Sequence, residues 1–346
     1  MSDASIEAID TRVLQSWMDA RNLGHGDISD ISFIAGGTQN MLMRFRREAD
    51  VYVFRRPPMH KRANSDETMR REARVLGALR NTDVPHPRLI AAESDENILG
   101  AAFYLMECVD GFNANLEMPE PHRSDTSMQY AMGLSMVESI ASLSKVNPAN
   151  VGILNLGKAE GWIERQAPRW KSHLDGYTAF DNYSKSDIGD VEMVAGWLSK
   201  HSPPTMQVGI IHGDFHFSNV LIRRDAGALA AIVDWELATI GDPLLDLAHL
   251  LVTWPGNSTM RSPSLEEVNL PSPDEIIAHY ARQTNRDLTH LAWFRVLGAY
   301  RLGIILEGTN ARAGAGLAPR QTGDLLHETA VSLLAHASAL IQENSI

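Results

Sequence analysis

Apolar positions recur with two different periods along this chain. Between residues 31 and 56 three short runs, "ISFIAGG" (31–37), "NMLMRFR" (40–46) and "VYVFRR" (51–56), have strand character, and Pro57-Pro58 closes the third. Ahead of them, residues 4–22 place Ile6, Ile9, Val13, Leu14 and Trp17 on one side of a helix. "NSDETMRREARVLGALR" (64–80) opens with capping-type residues and acids in its first turn, which predicts a second helix. "PRLIAAES" (87–94) and "AAFYLMECV" (101–109) return to strand character. Helical spacing then dominates, over 125–146 and 188–200, and "SPSLEE" (262–267) and "SPDE" (272–275) both carry the Ser-x-x-Glu capping box. The exception is 208–234, where "VGII", "NVLI" and "LAAIV" are three β-type runs separated by polar turns.

This order predicts an α+β protein of two lobes: a small mixed lobe over residues 1–110 and a larger, mainly helical one over 111–346, joined through "DGFNAN" (110–115). A chain of 346 residues has room for both. Its net charge of −12 argues against a nucleic-acid partner, which calls for a basic surface. The single cysteine, Cys108, cannot pair within the chain and fits a reducing compartment. "MSDASIEAID" lacks the features of a signal peptide, and no stretch approaches the ~18 apolar residues of a membrane span. A cytoplasmic protein without membrane contact is expected.

Polar groups concentrate on the turns between the β-type runs of 208–234. Strands on either side would hold a loop side chain in fixed geometry. In "GIIHGDFHFSNVLI" (209–222), Asp214 is followed at +5 by Asn219, and "AAIVDWE" places Asp234 at the end of the next apolar run. Phosphoryl transfer needs such a set: one carboxylate to accept a hydroxyl proton, and an amide oxygen with a second carboxylate to hold Mg²⁺ against nucleotide phosphates. Three unpaired polar groups beside buried strands would otherwise be a liability. His212 and His216 also have the i, i+4 spacing of a zinc-binding helix, but Gly213 and two Phe residues make a poor helix, and no third ligand motif appears.

His212-Gly213-Asp214-x₄-Asn219, then Asp234, then "GDPLLDLA" (241–248) resembles the aminoglycoside phosphotransferase and choline kinase group, relatives of protein kinases. "FRRPP" (54–58), "HGDFHFSN" and "DWELATIGDPLLDLA" are most similar to the kinase-like domains associated with acyl-CoA dehydrogenases and their free-standing bacterial relatives. The resemblance implies a two-lobed protein-kinase-like fold with an antiparallel sheet in the small lobe, and an ATP- and Mg²⁺-dependent kinase. It makes Asp214 the acceptor of the hydroxyl proton, and Asn219 and Asp234 the metal ligands. His216 stands where protein kinases carry a Lys beside the γ-phosphate, His212 orients the loop, and Trp235 packs. Asp242 is both a candidate helix cap and, by resemblance, a brace for the catalytic loop.

The same resemblance assigns the nucleotide side. The turn "IAGGTQN" would cover the phosphates through Gly36, Gly37, Thr38 and Asn40. Arg55 takes the position of the protein-kinase Lys, as in the dehydrogenase-linked relatives. Its expected partner follows from periodicity: Met69, Ala73, Leu76 and Leu79 form one stripe, and at ~100° per residue Glu72 falls inside it, where a carboxylate needs a cation. Backbone groups of Glu107 and Val109, with Met106 behind, would receive adenine.

The acceptor is less sharply marked. "GWIERQAPRWKSHLDGYTAFDNY" (161–183) mixes Trp162, Trp170, Tyr177 and Tyr183 with Arg165, Arg169 and Lys171, and residues 295–312 add Arg295, Arg301 and Arg312. These lean toward a carboxylate- or phosphate-bearing substrate. The family resemblance implies a small hydroxylated metabolite, such as a hydroxy acid or its acyl-CoA form, ahead of an aminoglycoside and then a choline-like amine. A pseudokinase would have lost one of Asp214, Asn219 or Asp234. A protein kinase would need more than the seven residues "WELATIG" between Asp234 and Asp242.

Overall fold

The computed structural model describes residues 9–34, 40–58, 61, 64–183, 187–256 and 263–343. The first helix, α1 (Thr11–Asp19), is shorter than its periodicity predicts, because the Asp10 carboxylate accepts from the N–H groups of Arg12 and Val13 and starts it there. Residues 4–8 of the expected helix lie outside the described residues.

Three strands follow as predicted, β1 (Ser29–Phe33), β2 (Met41–Arg47) and β3 (Asp50–Arg56), then α2 (Ser65–Leu79), β4 (Leu89–Glu93) and β5 (Phe103–Glu107). They form one antiparallel five-stranded sheet in the order β1-β2-β3-β5-β4. Strand alternation sorts its side chains onto two faces. Tyr52 and Phe54 of β3, with Phe103 and Leu105 of β5, pack under Leu14, Trp17 and Met18 of α1. Val53, Tyr104 and Met106 face the other way, onto Met69, Ala73 and Leu76 of α2. That second face belongs to the same apolar cluster as the helical remainder of the chain.

In that remainder, α3 (Thr126–Lys145), α4 (Trp162–Gly176) and α5 (Val191–Lys200) precede the β-type segment. Its runs form β6 (Gly209–Ile211), β7 (Val220–Ile222) and β8 (Leu229–Ile232). They do not join one sheet. β7 pairs with β8, and β6 pairs with β9 (Thr239–Gly241), a strand whose short length and terminal glycine hid it in the sequence. Then come α6 (Leu244–Val252), α7 (Pro273–Gln283), α8 (Leu291–Gly314) and α9 (Arg320–Glu343). The Ser272–Glu275 capping box is present at the start of α7. The one expected in "SPSLEE" starts no α-helix: Pro263–Leu265 is a single 3₁₀ turn, where Ser264 Oγ donates to Ala114 O (2.8 Å) and Leu265 is buried.

The two parts of the chain meet where Phe112 pairs with Ile222, in the stretch read as a linker, and where the Ile232 N–H donates to Pro85 O (2.8 Å). Among the described residues, no helix is long and apolar enough to cross a membrane.

The β6–β9 pair depends on close approach. A Cβ at Gly241 would lie 2.5 Å from Ile211 Cδ1 and 2.6 Å from Cε2 of the buried Trp162 ring. Gly241→Ala should therefore cost roughly 1–3 kcal/mol of unfolding free energy by overpacking, read by urea denaturation. A variant as stable as the wild type would show that this contact is not tight.

Candidate active site

The loop after β6 is held from below. Every residue of α6 is buried, and its only polar side chains are Asp246 and His249, three apart and so on neighbouring positions of one face. The Asp246 carboxylate accepts from the N–H groups of His212 (2.7 Å) and Gly213 (2.9 Å). Of the two roles open to Asp242 the structure shows the helix cap and not the loop brace: it accepts from Leu244 N–H at the start of α6 and from Gln207 N–H, both at 3.0 Å. Gly213 has φ +85°, and a Cβ there would meet Leu237 O at 2.8 Å, so the turn admits only glycine.

His212 is fully buried and committed at both ring nitrogens, with Nδ1 accepting from Asp214 N–H (3.2 Å) and Nε2 3.0 Å from Val233 O. Burial pushes it down to about 4, against the pull of Asp214 and the Val233 carbonyl, so it stays neutral. It orients the loop, as expected. It cannot serve with His216 as a zinc pair, and His216 is extended rather than helical (φ −153°, ψ 174°). His216 Nδ1 instead accepts from Ser218 N–H at 3.2 Å.

Asp214 is half-buried. Its Oδ2 accepts from Asn219 Nδ2 (2.9 Å) and lies 3.4 Å from His216 Nε2, and its Oδ1 lies 3.3 Å from His249 Nε2. Burial opposes its ionisation, yet the two histidines hold the carboxyl well below the usual range. His249, which burial keeps lowered and neutral, was missed in the sequence. Its only signal there is a histidine in an otherwise apolar helix three residues after an aspartate. The amide nitrogen of Asn219 also donates to Asp214 O (2.9 Å), which leaves its oxygen for another partner.

Asp234, left-handed at φ +65°, follows β8, and the neighbouring Val233 N–H donates to Asn219 O (2.9 Å). Both Asn219 and Asp234 line a cleft of about 470 Å³ between the five-stranded sheet and the β7–β8 pair. Arg55, Met106, Glu107 and Val109 line it too. The Glu107 N–H donates to Arg88 O (2.9 Å), so of its backbone groups that one is already taken. Gly36, Gly37 and Thr38 lie outside the described residues. Asn40 is placed, with Nδ2 3.3 Å from Glu236 Oε2.

Arg55 and Glu72 do pair inside the small lobe, Nε to Oε2 at 3.0 Å, while Tyr104, opposite Arg55 in the β3–β5 ladder, donates to Glu72 (2.7 Å). Arg55 also reaches across the cleft to Asp234 (2.7 Å). One guanidinium thus faces Glu72, Asp234 and Glu236, whose oxygens approach within 4.8 Å of one another. Burial and this crowding of acids, against Arg55 and the Tyr104 hydroxyl, push Glu72 up to about 7. Glu236 is raised as well, by burial and then by Asp234. Such an excess of hard oxygen donors suits a divalent cation such as Mg²⁺.

A five-stranded antiparallel sheet set against a helical region, with the cleft and the polar loop between them, is the architecture of a kinase-like fold. Residues 30–294 match the phosphotransferase enzyme family (APH), and the chain belongs to it. Acyl-CoA dehydrogenase family member 11 of Pongo abelii is 28% identical over 316 residues, 88% of this chain and 39% of that one. Acyl-CoA dehydrogenase family member 10 of Mus musculus is 26% identical over 280 residues, 78% of this chain and 25% of that one. The chain thus spans well under half the length of these curated relatives. Among solved structures, a Ralstonia eutropha protein provisionally assigned as an aminoglycoside phosphotransferase superposes with a TM-score of 0.77 at 24% identity, covering 96% of this chain and 99% of that one. The Plasmodium vivax ethanolamine kinase superposes at 0.58 and 12% identity, covering 92% and 83%. A ternary complex of aminoglycoside phosphotransferase APH(4)-Ia with AMP-PNP and hygromycin B does so at 0.57 and 14%, covering 91% and 98%. Family and fold together support a small-molecule phosphotransferase.

Two outcomes follow from this geometry. Glu72→Ala removes the partner of a buried guanidinium and should destabilise the protein by roughly 3–5 kcal/mol in chemical denaturation, tending to the lower figure because Asp234 remains. No loss would mean that Arg55 does not depend on Glu72. Asp246→Asn leaves one oxygen for two N–H groups and should cost roughly 1–3 kcal/mol. Burial pushes Asp246 up to about 6 from 3.8, against its two N–H bonds and Arg301. The folded chain therefore keeps a proton there that the unfolded chain has released, and the stability from this group falls as pH rises through that window. The excess stability of wild type over Asp246→Asn should shrink from roughly pH 4 to pH 6. An excess that stays flat or grows would mean that Asp246 is already ionised in the folded state.

Proposed function

We propose that this chain is an ATP-dependent phosphotransferase that moves the γ-phosphate to a hydroxyl of a small molecule, a hydroxylated metabolite ahead of an aminoglycoside. The observation that carries this reading is Asp214, an anionic half-buried carboxylate whose amide partner, Asn219, also lines the cleft that ends at Asp234. A relative of the same fold captured with AMP-PNP and hygromycin B supports a nucleotide and an acceptor sharing one site.

In this reading residues 1–110 hold the nucleotide and 111–346 supply the loop, the metal site and the acceptor region. Glu107 and Val109 meet the base, the Arg55–Glu72 pair faces the phosphates, and the turn of Gly36, Gly37, Thr38 and Asn40 covers them. Asn219 and Asp234 would hold Mg²⁺, which when bound neutralises charge on the phosphates. Asp214 orients the acceptor hydroxyl and His216 lies beside it. A carboxylate this hard to protonate is a weak base toward a free alcohol. It takes the proton only as the new O–P bond forms, when the alcohol becomes strongly acidic and the bond from phosphorus to the departing ADP oxygen breaks.

Asp214→Asn should keep the fold and bind ATP–Mg²⁺ nearly as well as wild type, since its charge matters to the transition state. Phosphate transfer, or slow ATP hydrolysis with water as acceptor, should fall by on the order of 10²-fold or more. Purified protein with stoichiometric zinc, no nucleotide binding and undiminished activity in Asp214→Asn would overturn the proposal.

A further inference from the structure

The basic residues singled out near the acceptor region have separate fates. Arg165 donates to backbone carbonyls of Lys158 and Glu160, Lys171 pairs with Asp175 and Glu192, and Arg312 donates to Thr309. Arg301 differs. It is 5% exposed, it forms no ion pair with any described carboxylate, and its buried Nη1 has no hydrogen-bond partner. The other buried arginines all have partners: Arg47 pairs with Asp19, Arg55 with Glu72 and Asp234, and Arg56 donates to two carbonyls. A buried guanidinium without a hydrogen-bonded anion is among the most costly groups a fold can keep.

Its location is defined by packing. Gly298 rests on the backbone of Ala248 and His249, with an added Cβ 3.6 Å from His249 N, and Arg301 follows one turn later on α8. The guanidinium lies over the Trp170 ring of α4, 5.2 Å from its centroid. Trp170 Nε1 and both ring nitrogens of His249 also lack hydrogen-bond partners, and His249 Nε2 lies 3.3 Å from Asp214 Oδ1. Burial pulls Arg301 down from its ordinary value, and the nearby charges of Asp214 and Asp246 oppose that pull.

We infer that Arg301, with Trp170 beneath it, is a subsite for an anionic group of the acceptor, so that the substrate is a hydroxylated carboxylate or phosphate ester rather than an amine. The inference rests on the phosphotransferase reading of Asp214 and adds the charge of what Asp214 acts on. An anion there accepts from the unpaired Arg301 Nη1 and places its own hydroxyl-bearing carbon chain toward Asp214. A cationic aminoglycoside or choline would instead meet an uncompensated guanidinium.

Three probes share a secondary alcohol and differ in charge: 3-hydroxybutyrate, 1,3-butanediol and 1-amino-2-propanol. Each is added with ATP–Mg²⁺ to wild type, Arg301→Met and Arg301→Lys, and both the melting shift and the rate of ADP release are measured. Wild type should be stabilised by, and should turn over, the anionic probe in preference to the other two. Arg301→Met should raise KM for it by about tenfold or more with kcat changed less than about threefold, the mark of lost uniform binding, and should lose its melting shift. Arg301→Lys should fall between, which separates the missing charge from a damaged fold. Equal response of wild type to all three probes, or an Arg301→Met variant that responds like wild type, overturns the subsite. The phosphotransferase reading fails separately: wild type then shows no melting shift with ATP–Mg²⁺, while an anion shift lost in Arg301→Met would still establish the subsite.

Discussion

One guanidinium ties the molecule's two halves to a single geometry. Arg55 sits on the inner face of the sheet, pairs with Glu72 of the helix behind it, and reaches across the cleft to Asp234. Burial first, and then the acids that outnumber this charge, make Glu72 rise rather than fall despite an ion pair at 3.0 Å. Stability alone would favour fewer carboxylates here, since a buried ion pair seldom repays its desolvation. The imbalance makes sense as a place prepared for further positive charge.

The opposite wall uses another device. A helix buried on all sides carries two polar groups, and both point their chemistry at one loop: Asp246 fixes its backbone and His249 holds its carboxylate. Asp214 thus stays ionised inside a half-buried site, where desolvation alone would raise it. The neutral His212 fills the remaining acceptor and donor needs of the turn.

Most elements were legible because their periods were clean, as in α2, where an acid inside an apolar stripe foretold the Arg55 partner. The site was legible where spacing along the chain sets geometry, as for Asp214 and Asn219 on one short loop. Contacts between distant elements were not. His249 looks like any core residue until α6 is docked under the loop, and Asp242 and Asp246 are told apart only by which N–H groups reach them. Likewise β9 has no strand signal of its own and exists because β6 needs a partner. Arg301 stood among several basic residues, and only its burial in the folded chain separated it from the rest.

The apolar cluster under the sheet has a consequence for how the protein comes apart. Met69 and Leu76 of α2 share one continuous core with Ile140 of α3, Phe217 of the loop and Leu250 of α6. A fragment ending near residue 110 would keep α2 against its own strands but would lose the part of that cluster supplied by Ile140, Phe217 and Leu250, and newly bared apolar surface favours aggregation. The two halves therefore share one core, so any movement of the small half against the large one is a tilt about that core rather than a separation of two bodies.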